Sequence, residues 1–186
     1  MRNRVLEIIS VLEQKGIPVF MVGGCVRDMY LGRNPKDFDL ASPLPSDEIL
    51  KRLSNHEVKL ISASQAYPVV HFKGLELASF RSDGVSRSDA KGISQGASLE
   101  EDAFRRDFTM NALYQKPDGE ILDPTGFGLE DIRENVIRFV GDPFQRIAED
   151  PLRVVRAFRF VSQLGFSLER ETEKACREAL QQIRMK

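Results

Sequence analysis

The sequence has few of the features that mark a secreted, membrane-spanning or strongly basic protein. Its 186 residues include two cysteines, Cys25 and Cys176, at no spacing typical of a metal site or a disulfide framework. The net charge is −1, so no global basic field indicates a nucleic-acid partner, although a local basic stripe could still serve one. No apolar run approaches membrane-spanning length, and charged residues interrupt the apolar positions of the N-terminus. These absences predict a soluble, cytoplasmic protein with reduced thiols.

The residues that are present have the balance of a globular fold. Hydrophobic residues make up 41% and charged residues 30%, enough for one domain or for one domain and the start of another. Strand and helix patterns alternate up to about residue 140, and only helical patterns follow. We therefore expect an α+β catalytic head over residues 1–140 and a helical segment over residues 141–186. The abrupt end of that segment suggests a truncated chain, with a naturally short protein as the alternative.

Local patterns predict where the elements lie. Strands are expected at 19–22, 38–41, within 57–80 and at 136–140, and a turn at 117–119 should join two more. Ser46 is expected to be the N-cap of a helix that ends near Leu53. Further helices are predicted at 26–31, 129–134, 150–164 and 170–184. Residues 81–98 are rich in Ser, Gly and Asp, which predicts a mobile loop.

The strongest chemical signal begins at Gly23, where G-G-C-V-R-D is followed by K-D-F-D. A Gly23-Gly24 pair between a strand and a helix lets backbone N–H groups approach a phosphate, and Arg27 can donate to the same anion. Alternation along the next strand places Asp37 and Asp39 on one face. Two such carboxylates can hold Mg²⁺ against substrate phosphates. A lone glycine pair or D-x-D is more often structural, so the specificity lies in their order and spacing.

Two further blocks follow in order: R-R-D-F-T-M-N-A from Arg105 and E-D-P-L-R from Glu149. With the first block, they resemble the motifs of class II nucleotidyltransferases, which include CCA-adding enzymes and bacterial poly(A) polymerases. The resemblance covers about residues 18–175. It implies a polymerase-β-like nucleotidyltransferase head, a small mixed sheet with flanking helices, followed by the start of a helical neck.

The resemblance also implies roles for individual residues. Asp37 and Asp39 are expected to be catalytic metal ligands, and Glu76 to be a third catalytic acid, although an exposed strand glutamate is an equal alternative. The predicted nucleotide-binding residues are Gly23, Gly24, Arg27, Arg106, Asp107, Asn111, Asp150, Arg153, Arg156 and Arg159.

Base recognition can be interpreted physically at Asp150 and Arg153. An ionised Asp150 accepts a hydrogen bond from an exocyclic amino group, while Arg153 donates to the neighbouring ring nitrogen. Cytosine and adenine both present that edge, whereas uracil and guanine present the reverse polarity. The alternative is that Asp150 only caps a helix and that Arg153, Arg156 and Arg159, which helical spacing places on one side, form a solvated face.

The expected reaction is attack of an RNA 3′-hydroxyl, most plausibly that of tRNA, on the α-phosphate of CTP or ATP, with release of pyrophosphate. One alternative is a poly(A) polymerase, and another is a nucleotide-binding domain that keeps the fold without turnover. His56 and His71 belong to no motif and are interpreted as structural or surface residues.

Overall fold

The computed structural model describes residues 2–62, 68–82 and 97–184. The helices are α1 (Arg2–Gln14), α2 (Gly24–Tyr30), α3 (Ser46–Arg52), α4 (Leu99–Phe104), α5 (Gly128–Arg133), α6 (Pro143–Glu149), α7 (Leu152–Leu164) and α8 (Arg170–Arg184). The strands are β1 (Phe20–Val22), β2 (Asp39–Ser42), β3 (Val58–Ser62), β4 (Pro68–Phe72), β5 (Leu75–Ser79), β6 (Tyr114–Gln115), β7 (Ile121–Leu122), β8 (Val136–Ile137) and β9 (Ser167–Leu168). The predicted α+β class is confirmed.

A mixed sheet organises the molecule, with strand order β3-β4-β5-β2-β1-β6-β7. Strands β2 and β5 are parallel, and the other neighbouring pairs of this sheet are antiparallel. The parallel pair places Asp39, at the start of β2, directly opposite Glu76 on β5. The middle of the sheet therefore brings together two acids that lie far apart in the sequence.

The two faces of the central strands differ because successive side chains point in opposite directions. Leu40, Val70 and Leu77 are buried in the main core together with Ile49 and Leu53 of the α3 region. Asp39 and Glu76, which directly precede Leu40 and Leu77, are exposed and lie on the opposite face. Helix α3 thus covers one face of this half of the sheet, and the acids lie on the other.

Some sequence-based boundaries need correction. Ser46 is the first residue of α3, and the N-cap is Pro45; the Ser46 hydroxyl lies 3.0 Å from that of Ser79. The strand predicted at 136–140 ends at Ile137, after which Phe139 forms an isolated bridge with Phe108. Most of the predicted 81–98 loop falls outside the described residues. Within the described ranges, no helix is long and apolar enough to cross a bilayer.

Candidate active site

Three acidic side chains share one open cleft. Asp37 lies two residues before Asp39, the first residue of β2, and Glu76 faces Asp39 from the neighbouring strand. All three are exposed, and they line the same cleft of about 500 Å³. The predicted placement of Asp37 and Asp39 beside a common opening is therefore what the structure shows, and Glu76 joins them through the parallel strand pairing.

The electrostatics of the cleft favour a cation. The pKa of the Asp39 carboxyl is raised, mainly because the carboxyl is partly desolvated and secondly because of the negative charge of Glu76. Arg106 lowers this pKa, and Asp37 adds a smaller increase. Like charges that are held close together disfavour ionisation unless a positive charge is added. A divalent cation between Asp37 and Asp39 would relieve this repulsion.

The donor set fits a hard cation that is only partly bound by protein. Within the described ranges, no group of three or more Asp, Glu, His or Cys side chains is close enough to enclose a metal ion. Mg²⁺ commonly binds to one or two carboxylates and takes its other ligands from phosphates and water. Asp37 and Asp39 fit this pattern, and both line an open cleft.

The glycine turn lies next to these carboxylates because Val22 pairs with Asp39 across β1 and β2. Gly23 follows with φ 74° and ψ −132°, a backbone conformation that residues other than glycine rarely adopt. It directly precedes the first turn of α2. A Cβ atom on Gly23 would lie 3.3 Å from Nη1 of Arg106. The turn therefore brings bare backbone and a guanidinium close together beside the acids.

Arg27 connects α2 with the second motif. Its Nη1 donates to Oδ1 of Asn111 at 2.6 Å, and its Nε and Nη2 donate to Asp28 at 2.9 and 2.7 Å. The guanidinium also lies over the Phe160 ring of α7, 5.4 Å from its centroid. Arg27 is buried, and its guanidinium donates within the protein, so its predicted bond to a phosphate stays a prediction.

A buried carboxylate that the sequence reading missed holds Arg106 in place. Asp102 accepts hydrogen bonds from Nε and Nη2 of Arg106 at 3.3 and 2.9 Å, from the Tyr114 hydroxyl at 2.6 Å, and from Arg105 at 2.6 Å. Burial raises the pKa of Asp102, but Arg106 and Arg105 outweigh it and hold that pKa below its usual value. The signal for this group was an acid three and four residues before two arginines on a helix.

The residues predicted to recognise the base, Asp150 and Arg153, lie in a second cluster where α6 ends and α7 begins. Asp107 accepts from Nε of Arg153 at 2.7 Å and from Nε of Arg156 at 2.6 Å. Nη2 of Arg156 donates to Asp150 at 2.7 Å, and this bond is the main reason that the pKa of Asp150 is lowered. Asp150 also accepts from the Leu152 amide at 3.0 Å, but the N-cap of α7 is Pro151, and Asp150 is the C-cap of α6.

The prediction that three arginines share one side of α7 is wrong for the last of them. Arg153 is buried and Arg156 half-buried against Asp107, whereas Arg159 is exposed and lies over the Phe160 ring. Each step of three residues turns the helix by about 300°, so two steps displace a side chain by about 120° around the axis. Arg159 therefore lies outside the cluster.

Comparisons with known proteins agree with this geometry. Residues 19–138 match the family model described as the poly(A) polymerase head domain. The CCA-adding enzyme of Geobacillus stearothermophilus is 43% identical over 177 residues, which are 93% of this chain and 43% of that protein. Poly(A) polymerase I of Haemophilus influenzae is 34% identical over 189 residues, 95% of this chain and 42% of that protein.

Solved structures give the same result. The crystal structure of the Bacillus stearothermophilus CCA-adding enzyme in complex with CTP superposes with a TM-score of 0.79 at 40% identity, over 93% of this chain and 42% of that one. A tRNA nucleotidyltransferase complexed with a primer tRNA and an incoming ATP analogue superposes with a TM-score of 0.72 at 32% identity, over 92% and 49%. The chain spans less than half the length of these relatives. It belongs to the poly(A) polymerase head-domain family, which the CCA-adding enzymes share.

Proposed function

We propose that the protein transfers a nucleotide from CTP or ATP to the 3′ end of a tRNA and releases pyrophosphate. The observation that carries the proposal is the shared cleft of Asp37, Asp39 and Glu76 beside the Gly23 turn. The names of the relatives support it, since they include CCA-adding enzymes, one of them solved with CTP.

The protein's own residues would bind and orient the triphosphate. The backbone at Gly23 and Gly24 offers N–H groups to phosphate oxygens without a side chain in the way, and Arg106 lies next to Gly23. Arg27 would help to hold the turn in place through its hydrogen bond to Asn111. The RNA 3′-hydroxyl would give its proton to Glu76 or to solvent as its oxygen forms a bond to the α-phosphorus. The bond between that phosphorus and the oxygen that bridges to the β-phosphate would break, so that the electron pair leaves with pyrophosphate.

We propose Mg²⁺ as the cofactor, with Asp37 and Asp39 as its protein ligands. When bound there, Mg²⁺ would lower the pKa of the attacking hydroxyl and neutralise charge on the phosphates. Glu76, which faces Asp39 from β5, would help to bind the metal or to activate the attacking hydroxyl. Positioning and electrostatic stabilisation would account for most of the rate enhancement.

Selection of C and A would use Asp150 and Arg153. Both side chains form ion pairs inside the protein, Asp150 with Arg156 and Arg153 with Asp107. A base with an amino donor beside a ring acceptor can replace these bonds, whereas uracil or guanine would leave the carboxylate or the guanidinium unpaired. Arg156 then keeps its bond to Asp107, and its Nη2 becomes available to the nucleotide.

The proposed division of the chain is a catalytic head over residues 1–140 and the start of a helical neck over residues 141–186. The family model supports this boundary because its match ends at residue 138. We place the reaction in the cytoplasm, where the unpaired Cys25 and Cys176 would stay reduced.

The proposal is tested by incubating the protein with Mg²⁺, labelled CTP or ATP, and tRNA that lacks its 3′ CCA. We expect one to three added nucleotides with the wild type and none with Asp39→Ala. Asp47→Ala on α3, which packs against the opposite face of the sheet, is the matched control and should remain active. Incorporation by Asp39→Ala at the wild-type rate would refute the role of the carboxylates.

The length and composition of the product separate the candidate activities. A long tract made from ATP alone would identify a poly(A) polymerase, which the 34% identity to poly(A) polymerase I supports as the second candidate. Binding of CTP or ATP without any incorporation would identify a nucleotide-binding domain that keeps the fold without turnover.

A further inference from the structure

A row of paired residues starts at the acids of the cleft and continues across the sheet, and its side chains change from acidic to basic. Asp39 pairs with Glu76, Glu76 pairs with His71 on β4, and His71 pairs with Lys59 on β3. Paired residues on neighbouring strands share a face, so all four lie on the face away from α3. Strands are about 4.8 Å apart, which places Lys59 roughly 14 Å from Asp39.

A second cavity lies at the basic end of this row. It measures about 540 Å³ and is lined by His56, Glu57, Lys59, His71, Phe72, Lys73 and Gly74. Lys73 and Gly74, in the turn between β4 and β5, also line the catalytic cleft. The two depressions therefore meet at this turn, and the side chains of Lys59 and Lys73 are both exposed there.

Helix α1 supplies a further positive charge where the depressions meet. Nη2 of Arg4 donates to the carbonyl oxygen of Lys73 at 3.1 Å, and Arg4 also lines the catalytic cleft. In the second cavity, Nε2 of His56 is buried and has no hydrogen-bond partner among the described residues. The lining of the second cavity thus contains two lysines and two histidines, and its one acidic residue is Glu57.

The position of the nucleotide-binding groups determines which substrate can use this surface. Gly23 follows β1, and Arg106 and Asn111 precede β6, so these groups lie on the β1 and β6 side of the acids. The attacking hydroxyl must reach the α-phosphate from the opposite side to the leaving pyrophosphate. The side that remains is the one formed by β5, β4 and β3, where the basic surface lies.

We infer that Lys59, Lys73, His71 and Arg4 form a binding track for the phosphate backbone of the RNA strand, just upstream of its reacting 3′ end. The inference rests on the proposed function for the identity of the ligand. Lysine and arginine at such a surface bind phosphates without reading the base sequence. The track would hold the 3′ end in line with the acids whichever nucleotide is being added.

Direct binding tests the track independently of catalysis. The probe is a fluorescently labelled single-stranded RNA of about twelve nucleotides, followed by anisotropy over a range of salt concentrations. Lys59→Gln and Lys73→Gln should each weaken binding about three- to tenfold and reduce the slope of log K against log salt by about 0.7. Lys51→Gln, the same change on α3 behind the sheet, should bind like the wild type. Circular dichroism would verify that all variants are folded.

The outcomes distinguish the track from the reaction. If Lys59→Gln and Lys73→Gln bind RNA within twofold of Lys51→Gln, or the wild type binds no RNA, the inference is overturned. In the incorporation assay, the track predicts a raised KM for RNA with KM for CTP and kcat unchanged. Weakened RNA binding in a protein that never incorporates nucleotide would support the track and refute only the proposed reaction.

Discussion

Replacement of Asp102 by alanine should destabilise the fold and release Arg106 from its position beside Gly23. The Asp102 carboxylate is 1% exposed and accepts hydrogen bonds from Arg105, Arg106 and the Tyr114 hydroxyl. It also accepts from the Arg81 amide at 3.0 Å, on a strand-end segment far from α4 in the sequence. The substitution therefore leaves several donors, two of them charged, without their acceptor.

The expected cost follows from the burial of these groups. Removal of one partner from a buried ion pair costs about 3–5 kcal/mol, because the remaining charge is left uncompensated. Tyr114→Phe removes one donor to Asp102 and one acceptor for Arg106 Nε, but it leaves both ion pairs, so it should cost only about 1–2 kcal/mol. Since domains are stable by about 5–15 kcal/mol in total, Asp102→Ala should be much less stable than the wild type and Tyr114→Phe only slightly so.

Urea denaturation followed by circular dichroism measures both free energies of unfolding. A loss below about 1 kcal/mol in Asp102→Ala would refute the argument, because a buried carboxylate between two guanidiniums cannot be removed at the cost of a surface substitution. The variant, where folded, should also show a raised KM for CTP because Arg106 is no longer oriented. An unchanged KM for CTP in Asp102→Ala would mean that Asp102 stabilises the fold but does not orient Arg106 for nucleotide binding.

Acid provides an independent check on Asp102. Its pKa is lowered in the folded protein, so its contribution to stability is complete above the unfolded-state value of about 3.9 and is lost as the pH falls through the folded-state pKa. Asp102→Asn carries no such titration. The difference in unfolding free energy between wild type and Asp102→Asn should therefore shrink as the pH is lowered from 7 to acid, and a constant difference would contradict the assignment.

Other substitutions test other parts of the site. Asp39→Asn should abolish incorporation. It should also raise Tm by at most about 2–4 °C at neutral pH, because the pKa of this solvent-screened carboxyl is raised and its ionised form therefore destabilises the fold. The gain in Tm should vanish below the unfolded-state pKa, and a lowered Tm in calorimetry would contradict the prediction. Gly23→Ala should raise KM for CTP at least about tenfold, because its Cβ would crowd a guanidinium 3.3 Å away at a positive φ. Gly32→Ala, also at positive φ but with nothing within 4 Å, should alter stability alone. Asp107→Asn weakens its bond to Arg153 and should lower CTP affinity in titration calorimetry by about five- to thirtyfold, whereas unchanged affinity would mean that the pair is purely structural.

The parts of the site that follow from local geometry could be predicted from the sequence. The Gly23 turn and the Asp37–Asp39 pair need only a strand, a turn and the alternation of side chains, and the structure places Val22, the residue before that turn, opposite Asp39. Glu76 could be suggested only by family resemblance. Its position depends on the parallel pairing of β2 with β5, which no periodicity in the chain specifies.

The ion pairs of α7 and the two short unpredicted helices could not be derived from the sequence pattern. Sequence spacing shows that the arginines of α7 are near Asp150, but only tertiary packing decides that Asp107 takes two of them and leaves Arg159 exposed. The short helices α4 and α6 were not predicted, although a Ser98–Glu101 capping box and Asp142 before a first-turn proline mark where they begin. Each has too few residues for a helical repeat of apolar positions to be recognised.

The central claim is that Asp37 and Asp39 hold a divalent cation beside the bound nucleotide. Mn²⁺ accepts the same oxygen ligands as Mg²⁺ and can be titrated by electron paramagnetic resonance in the presence of a CTP analogue that cannot be cleaved. The wild type and Asp47→Asn should bind Mn²⁺ when the analogue is present, and Asp37→Asn and Asp39→Asn should bind it at least about tenfold more weakly. Equal Mn²⁺ affinity in all four proteins would contradict the account.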